Sequence, residues 1–117
     1  MWPVLICAGF FLGMGALALA APNRVVRFFD IAPLSVAGRN EVRAVYGGFG
    51  VAIAALLVFS LGNAEAGPGI RLTVLCALLG MAAGRLCAGL MDRQWRFYPG
   101  LFMALELLLA GLLWLAP

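Results

Sequence analysis

Four long apolar runs, separated by short polar segments, organise this chain. The first covers residues 2–21 and carries no charge. The second covers 44–61 and is interrupted only by Tyr46 and Ser60; the third covers 72–91, interrupted by Thr73 and Arg85. The fourth covers 98–116 and contains one carboxylate, Glu106. Each run is about 18–20 residues, the length a helix needs to cross about 30 Å of hydrocarbon. None alternates with the period of two that a barrel strand requires, and within lipid only helices and closed barrels satisfy their own backbone groups. The pattern predicts an all-α integral membrane protein, a single domain folded as an up-down four-helix bundle.

The first run ends Ala-Leu-Ala-Leu-Ala-Ala-Pro, which resembles a signal-peptide cleavage site. It lacks a basic leading region and is long enough to span, so it is expected to be a transmembrane helix. Residues 62–69, Gly-Asn-Ala-Glu-Ala-Gly-Pro-Gly, form a breaker-rich turn, which makes the second and third runs an antiparallel hairpin. Residues 92–97 join the third and fourth just as tightly. The longer connection, residues 22–43, mixes Val25, Val26, Phe28 and Phe29 with Arg24, Arg27 and Asp30. It suits a short interfacial helix ending before Pro33.

Composition agrees with this reading. Of 117 residues, 65% are hydrophobic and 11% charged, against about 25% charged in soluble domains. All eight cations are Arg and there is no His. This excludes His-based metal sites and general bases, Ser-His-Asp triads and Lys Schiff-base chemistry. The net charge of +3 does not point to nucleic acid, because the arginines flank apolar spans, where anionic headgroups are their ordinary partners. Seven arginines lie at one end of the bundle, in the first and third connections or near them, and only Arg71 lies at the other. The positive-inside rule then places both Arg-rich loops in the cytoplasm and both termini on the non-cytoplasmic side. Trp2 and Trp114 mark one interface, and Trp95, Phe97 and Tyr98 the other.

Lipid gives helices no hydrophobic reason to associate, so small residues that permit close approach carry the packing. Gly9-x-x-x-Gly13 and Gly80-x-x-x-Gly84 are the candidate helix-packing motifs, and Gly47, Gly48, Gly50 and Ala54 give the second span a smooth face. Cys7, Cys76 and Cys87 lie in apolar stretches and read as small packing residues. Cys76 and Cys87 are about 16 Å apart along one helix, too far to bridge.

Charges inside spans are costly and mark candidate sites. Glu106 sits about 10 Å below the Arg-rich interface, and Arg85 at about the same depth on the neighbouring third span. An Arg85–Glu106 ion pair inside the bundle is expected, a planar guanidinium fork holding the carboxylate. Tyr46 and Arg43 of the second span come to a similar level, giving a candidate polar cluster of Arg43, Tyr46, Arg85 and Glu106. Two readings compete. In one the cluster only fixes helix register. In the other it receives an anionic headgroup, a quinone-like molecule or a proton. One carboxylate without a second acid, base or metal is a poor catalyst, so no catalytic, metal or cofactor-binding residues are assigned. Tyr46-Gly-Gly-Phe-Gly50 opens a membrane helix rather than following a strand, so a nucleotide-binding reading fails.

Arg43-Ala-Val-Tyr46-Gly-Gly48 opening the second span, Gly84-Arg85 late in the third and Glu106 in the fourth together resemble a known family. It comprises small four-helix bacterial membrane proteins catalogued as domain of unknown function 4345. The resemblance covers nearly the whole chain. Where that family often has Asp-Gly-x-Pro after the third span, Asp92 is here followed by Arg93. The resemblance implies a location in the bacterial inner membrane and supplies no activity that would decide between these readings. The expected function is that of a non-enzymatic accessory or scaffold subunit of a larger respiratory or photosynthetic membrane complex, surrounded by the bilayer and by partner subunits. The alternative is a binding or transport module for a lipophilic or anionic ligand, such as a lipid or quinone, at the intramembrane Arg/Tyr/Glu pocket.

Overall fold

In a computed structural model, which describes residues 1–116, the chain is helical with no strand among those residues. The elements are α1 (Trp2–Ala20), α2 (Pro22–Arg27), α3 (Val36–Val42), a π-helical turn (Arg43–Gly48), α4 (Phe49–Leu61), α5 (Gly67–Asp92) and α6 (Phe97–Leu115). α3, the π turn and α4 run on as one rod, Val36–Leu61, so four helices are long and apolar enough to cross a membrane. Neighbours in the chain are neighbours in space. α1 packs most extensively on α4 and α5 on α6, while smaller α4–α5 and α1–α6 interfaces close the bundle.

Two helices begin earlier than the apolar runs do. The rod starts at Val36 because Ser35 Oγ accepts the Gly38 amide at 3.2 Å, satisfying a first-turn donor. α5 starts at Gly67 because Asn63 Oδ1 accepts the amides of Glu65 and Ala66 at 3.1 and 2.7 Å. Pro68 then occupies the first turn, where its missing N–H costs nothing. The proline that reads as a breaker starts the helix. In the long connection, α2 ends at Arg27, and Asp30 adopts a left-handed φ of 60°. The chain then runs without regular structure to Ser35.

Each helix buries a narrow stripe. On α1 it is Val4, Cys7, Ala8, Phe11, Gly15 and Ala18; on α6 it is Phe102, Glu106, Leu109, Ala110 and Leu113. These spacings of three and four place one side of each helix inward. Midway along the bundle, α1 lies close against the rod. A Cβ added to Gly15 would lie 2.8 Å from the Gly47 carbonyl oxygen and 2.9 Å from the Val51 nitrogen. One added to Gly50 would lie 3.0 Å from the Phe11 carbonyl oxygen. Backbone meets backbone here, as the smooth face of the second span suggests.

The two Gly-x-x-x-Gly motifs take no part in this packing. A Cβ on Gly9, Gly13, Gly80 or Gly84 would meet nothing within 4 Å. Gly9 and Gly13 fall off the buried stripe of α1, and Gly80 and Gly84 flank Ala82 on the outer side of α5. Of the cysteines, only Cys7 is buried, its thiol 3.5 Å from the Leu109 carbonyl oxygen; Cys76 and Cys87 are exposed. The expectation that all three pack inside the bundle is corrected for those two.

Candidate functional site

Arg85 and Glu106 meet because each lies on the inward stripe of its helix. On α5, Leu78, Ala82 and Gly89 are buried on the same face as Arg85, and on α6 Glu106 follows Phe102 by one turn. Arg85 Nε donates to Glu106 Oε1 at 2.9 Å and to Oε2 at 3.1 Å. The carboxylate is enclosed, with 4% of its side chain exposed, whereas Arg85 retains 26%. One nitrogen thus serves both oxygens, not the two-nitrogen fork that the sequence suggests. The terminal guanidinium nitrogens make no hydrogen bond among the described residues.

The rest of the guanidinium is held by aromatic rings. Its central carbon lies 5.3 Å from the Phe29 centroid and 5.6 Å from that of Phe102, within range of cation–π attraction. Phe29 arrives from the corner after α2, where Phe28 packs on Tyr98 and both phenylalanines pack on Phe102. An exposed ion pair, Asp30 to Arg96 at 3.0 Å, ties that corner to the start of α6. The first connection is therefore grafted onto the α5–α6 hairpin. Phe28 and Phe29 read as interfacial in the sequence; only their placement beside Arg85 makes them part of the site.

Arg43 and Tyr46 do not join. Arg43 Nε donates to the Leu19 carbonyl oxygen at 2.9 Å, placing a cation at the C-terminal end of α1, where the helix dipole favours it. Tyr46 is exposed and makes no hydrogen bond among the described residues. The π turn explains this. Buried Val42 and buried Gly47 are five residues apart, so the widened turn carries the inward face forward by one residue. In an uninterrupted α-helix Tyr46 would share the face of Val42; here it is rotated outward. Arg43→Ala is accordingly expected to cost no more than about 1 kcal/mol, read as a small fall in thermal stability in detergent, without disturbing Arg85.

A groove of about 290 Å³ opens between α5 and α6 at the Arg-rich end. Arg85 lies at its deep end, and Asp92, Gln94, Trp95 and Arg96 surround its mouth. Ala88, Gly89, Pro99 and Gly100 supply small walls. Trp95 folds back onto Gly89 so closely that a Cβ there would collide with the indole. Asp92 forms no salt bridge among the described residues. A larger hollow of about 420 Å³ lies at the opposite end, far from the ion pair. Its one charged side chain, Arg71, donates to the Ser60 carbonyl oxygen at 3.4 Å and so caps the end of α4. The groove, with a guanidinium backed by a buried carboxylate, is the better candidate.

No curated protein and no solved structure matches the chain. A family model described as Domain of unknown function (DUF4345) matches residues 2–116. That span takes in all four membrane-length helices, the Arg85–Glu106 pair and the groove beside it, and on this match the chain belongs to the DUF4345 family.

Proposed function

We propose that this four-helix protein is a non-enzymatic membrane component that binds a lipophilic ligand with a polar headgroup in the groove between α5 and α6. One observation carries the reading. Arg85 spends a single nitrogen on Glu106 and keeps a quarter of its side chain exposed beside a groove. A pair serving packing alone has no need of an accessible edge. A chain without Lys or His, holding one carboxylate at membrane depth, offers no acid–base couple for catalysis. Seven arginines at the groove end favour the cytoplasmic face of a bacterial inner membrane for that end.

The test is native mass spectrometry after extraction in a mild detergent. The wild type is expected to carry bound lipid. Arg85→Met combined with Glu106→Leu removes both charges without stranding either, and is expected to lose that lipid while keeping its helicity. Equal lipid content in the two proteins overturns the proposal.

A second reading, an accessory subunit of a larger membrane complex, draws on Gly9, Gly13, Gly80 and Gly84. These line outward faces with open space above them, where another helix could approach closely. The same spectra address it. Co-purifying chains support it, and the 12.4 kDa chain flying alone counts against it.

A further inference from the structure

We infer that the groove selects a zwitterionic phosphoamine headgroup over a purely anionic one, an inference that rests on the headgroup-binding reading above. Two arginines reach the groove, and each already has a carboxylate partner, Glu106 for Arg85 and Asp30 for Arg96. Asp92 adds a third carboxylate at the mouth, without a salt bridge of its own among the described residues. Of the three charged side chains that line the groove, Asp92 is thus the one without a partner among the described residues. A headgroup carrying only negative charge would gain the edge of Arg85 but meet the Asp92 carboxylate at the mouth. One carrying both signs could use the open edge of Arg85 and the unpaired carboxylate of Asp92 together.

The order of the two charges along α5 matches such a headgroup. Arg85 and Asp92 are seven residues, two turns, apart on one face, with Arg85 the deeper by about 10 Å. A phospholipid entering along the helix brings its phosphate in first from the acyl side and its amine behind it, nearer the water. The phosphate meets a guanidinium, whose donors suit its oxygens, and the ammonium meets Asp92. Between them lies the Trp95 indole, held on Gly89, and an ammonium is attracted to an aromatic face.

Trp95 also supplies the readout. In a Trp2→Phe, Trp114→Phe background it is the one remaining tryptophan. The delipidated protein in detergent would be titrated with short-chain phosphatidylethanolamine, short-chain phosphatidylglycerol and free phosphoethanolamine. Lipid retention by native mass spectrometry would be scored in parallel. Phosphatidylethanolamine is expected to shift Trp95 emission at lower concentration than phosphatidylglycerol. Asp92→Asn is expected to reduce that preference by about fivefold, the worth of a partly exposed charge pair, with helicity unchanged. A response to free phosphoethanolamine as strong as to the lipid supports the zwitterion and identifies a soluble source; a response only to the lipid supports it and identifies a membrane source. Equal or tighter binding of phosphatidylglycerol, or an unchanged preference in Asp92→Asn, overturns this inference but leaves headgroup binding standing. No response and no retention with any of the three overturns both.

Discussion

Arg85→Met is expected to destabilise the bundle by about 3–5 kcal/mol, the cost of leaving a buried charge without its partner. Glu106 is the group left behind, and its side chain is 4% exposed, too enclosed for water to replace the guanidinium. The asymmetry of the pair makes the converse change milder: with Glu106→Gln, Arg85 still has an exposed edge, two aromatic rings and an amide oxygen within reach. Combining Arg85→Met with Glu106→Leu removes both charges, and is expected to return stability to within about 1–2 kcal/mol of wild type, as neutral replacements of buried pairs do. Unfolding in mixed detergent, followed by helicity, measures all three. If Arg85→Met alone is as stable as the double variant, the Arg85–Glu106 contact does not stabilise the bundle and the description of the site fails.

The second large effect belongs to the seam between α1 and the rod. Gly15→Ala adds one methyl group where two backbone atoms lie within 3 Å. Backbone cannot swing aside as a side-chain tip can, so the helices must separate, at about 1–3 kcal/mol for overpacking a tight contact. Gly13→Ala, two residues away with nothing within 4 Å, is expected to change stability by less than about 0.5 kcal/mol. The comparison uses the same chemistry on the same helix, so propensity cancels. Equal effects at the two positions would show that the α1–rod contact is not the close one.

These two sites also show what the sequence could and could not say. The Arg85–Glu106 juxtaposition was legible, because two charges at matched depth on helices joined by a short turn have few other partners. Four helices were legible from the length and apolarity of the runs alone. The rod's half of the glycine seam, Gly47 and Gly50, is legible, but its α1 half is not, because the Gly-x-x-x-Gly pattern marks a face without saying which way it turns. Gly15 belongs to no such motif and is found only through the buried stripe of α1. Arg43 and Tyr46 were misjudged for a different reason. Their expected depth assumes a regular helix, and the π turn at Arg43–Gly48 breaks the phase at that point. Phe29 and Trp95 lie in connections, where periodicity carries no information about which helix a ring will meet.

The pairing of Arg85 with Glu106 has a consequence for how the chain is made. The arginine leaves the ribosome 21 residues before its carboxylate, so α5 reaches the membrane ahead of the group that neutralises it. A lone arginine raises the insertion cost by up to about 2.5–3.5 kcal/mol, the figure for the helix centre, and a lone glutamate then burdens α6 in turn. Entering together as a preformed hairpin, with the short segment between Asp92 and Phe97 as its bend, the two helices never present either charge to lipid. The ion pair that organises the finished groove thus also couples the last two steps of biogenesis into one.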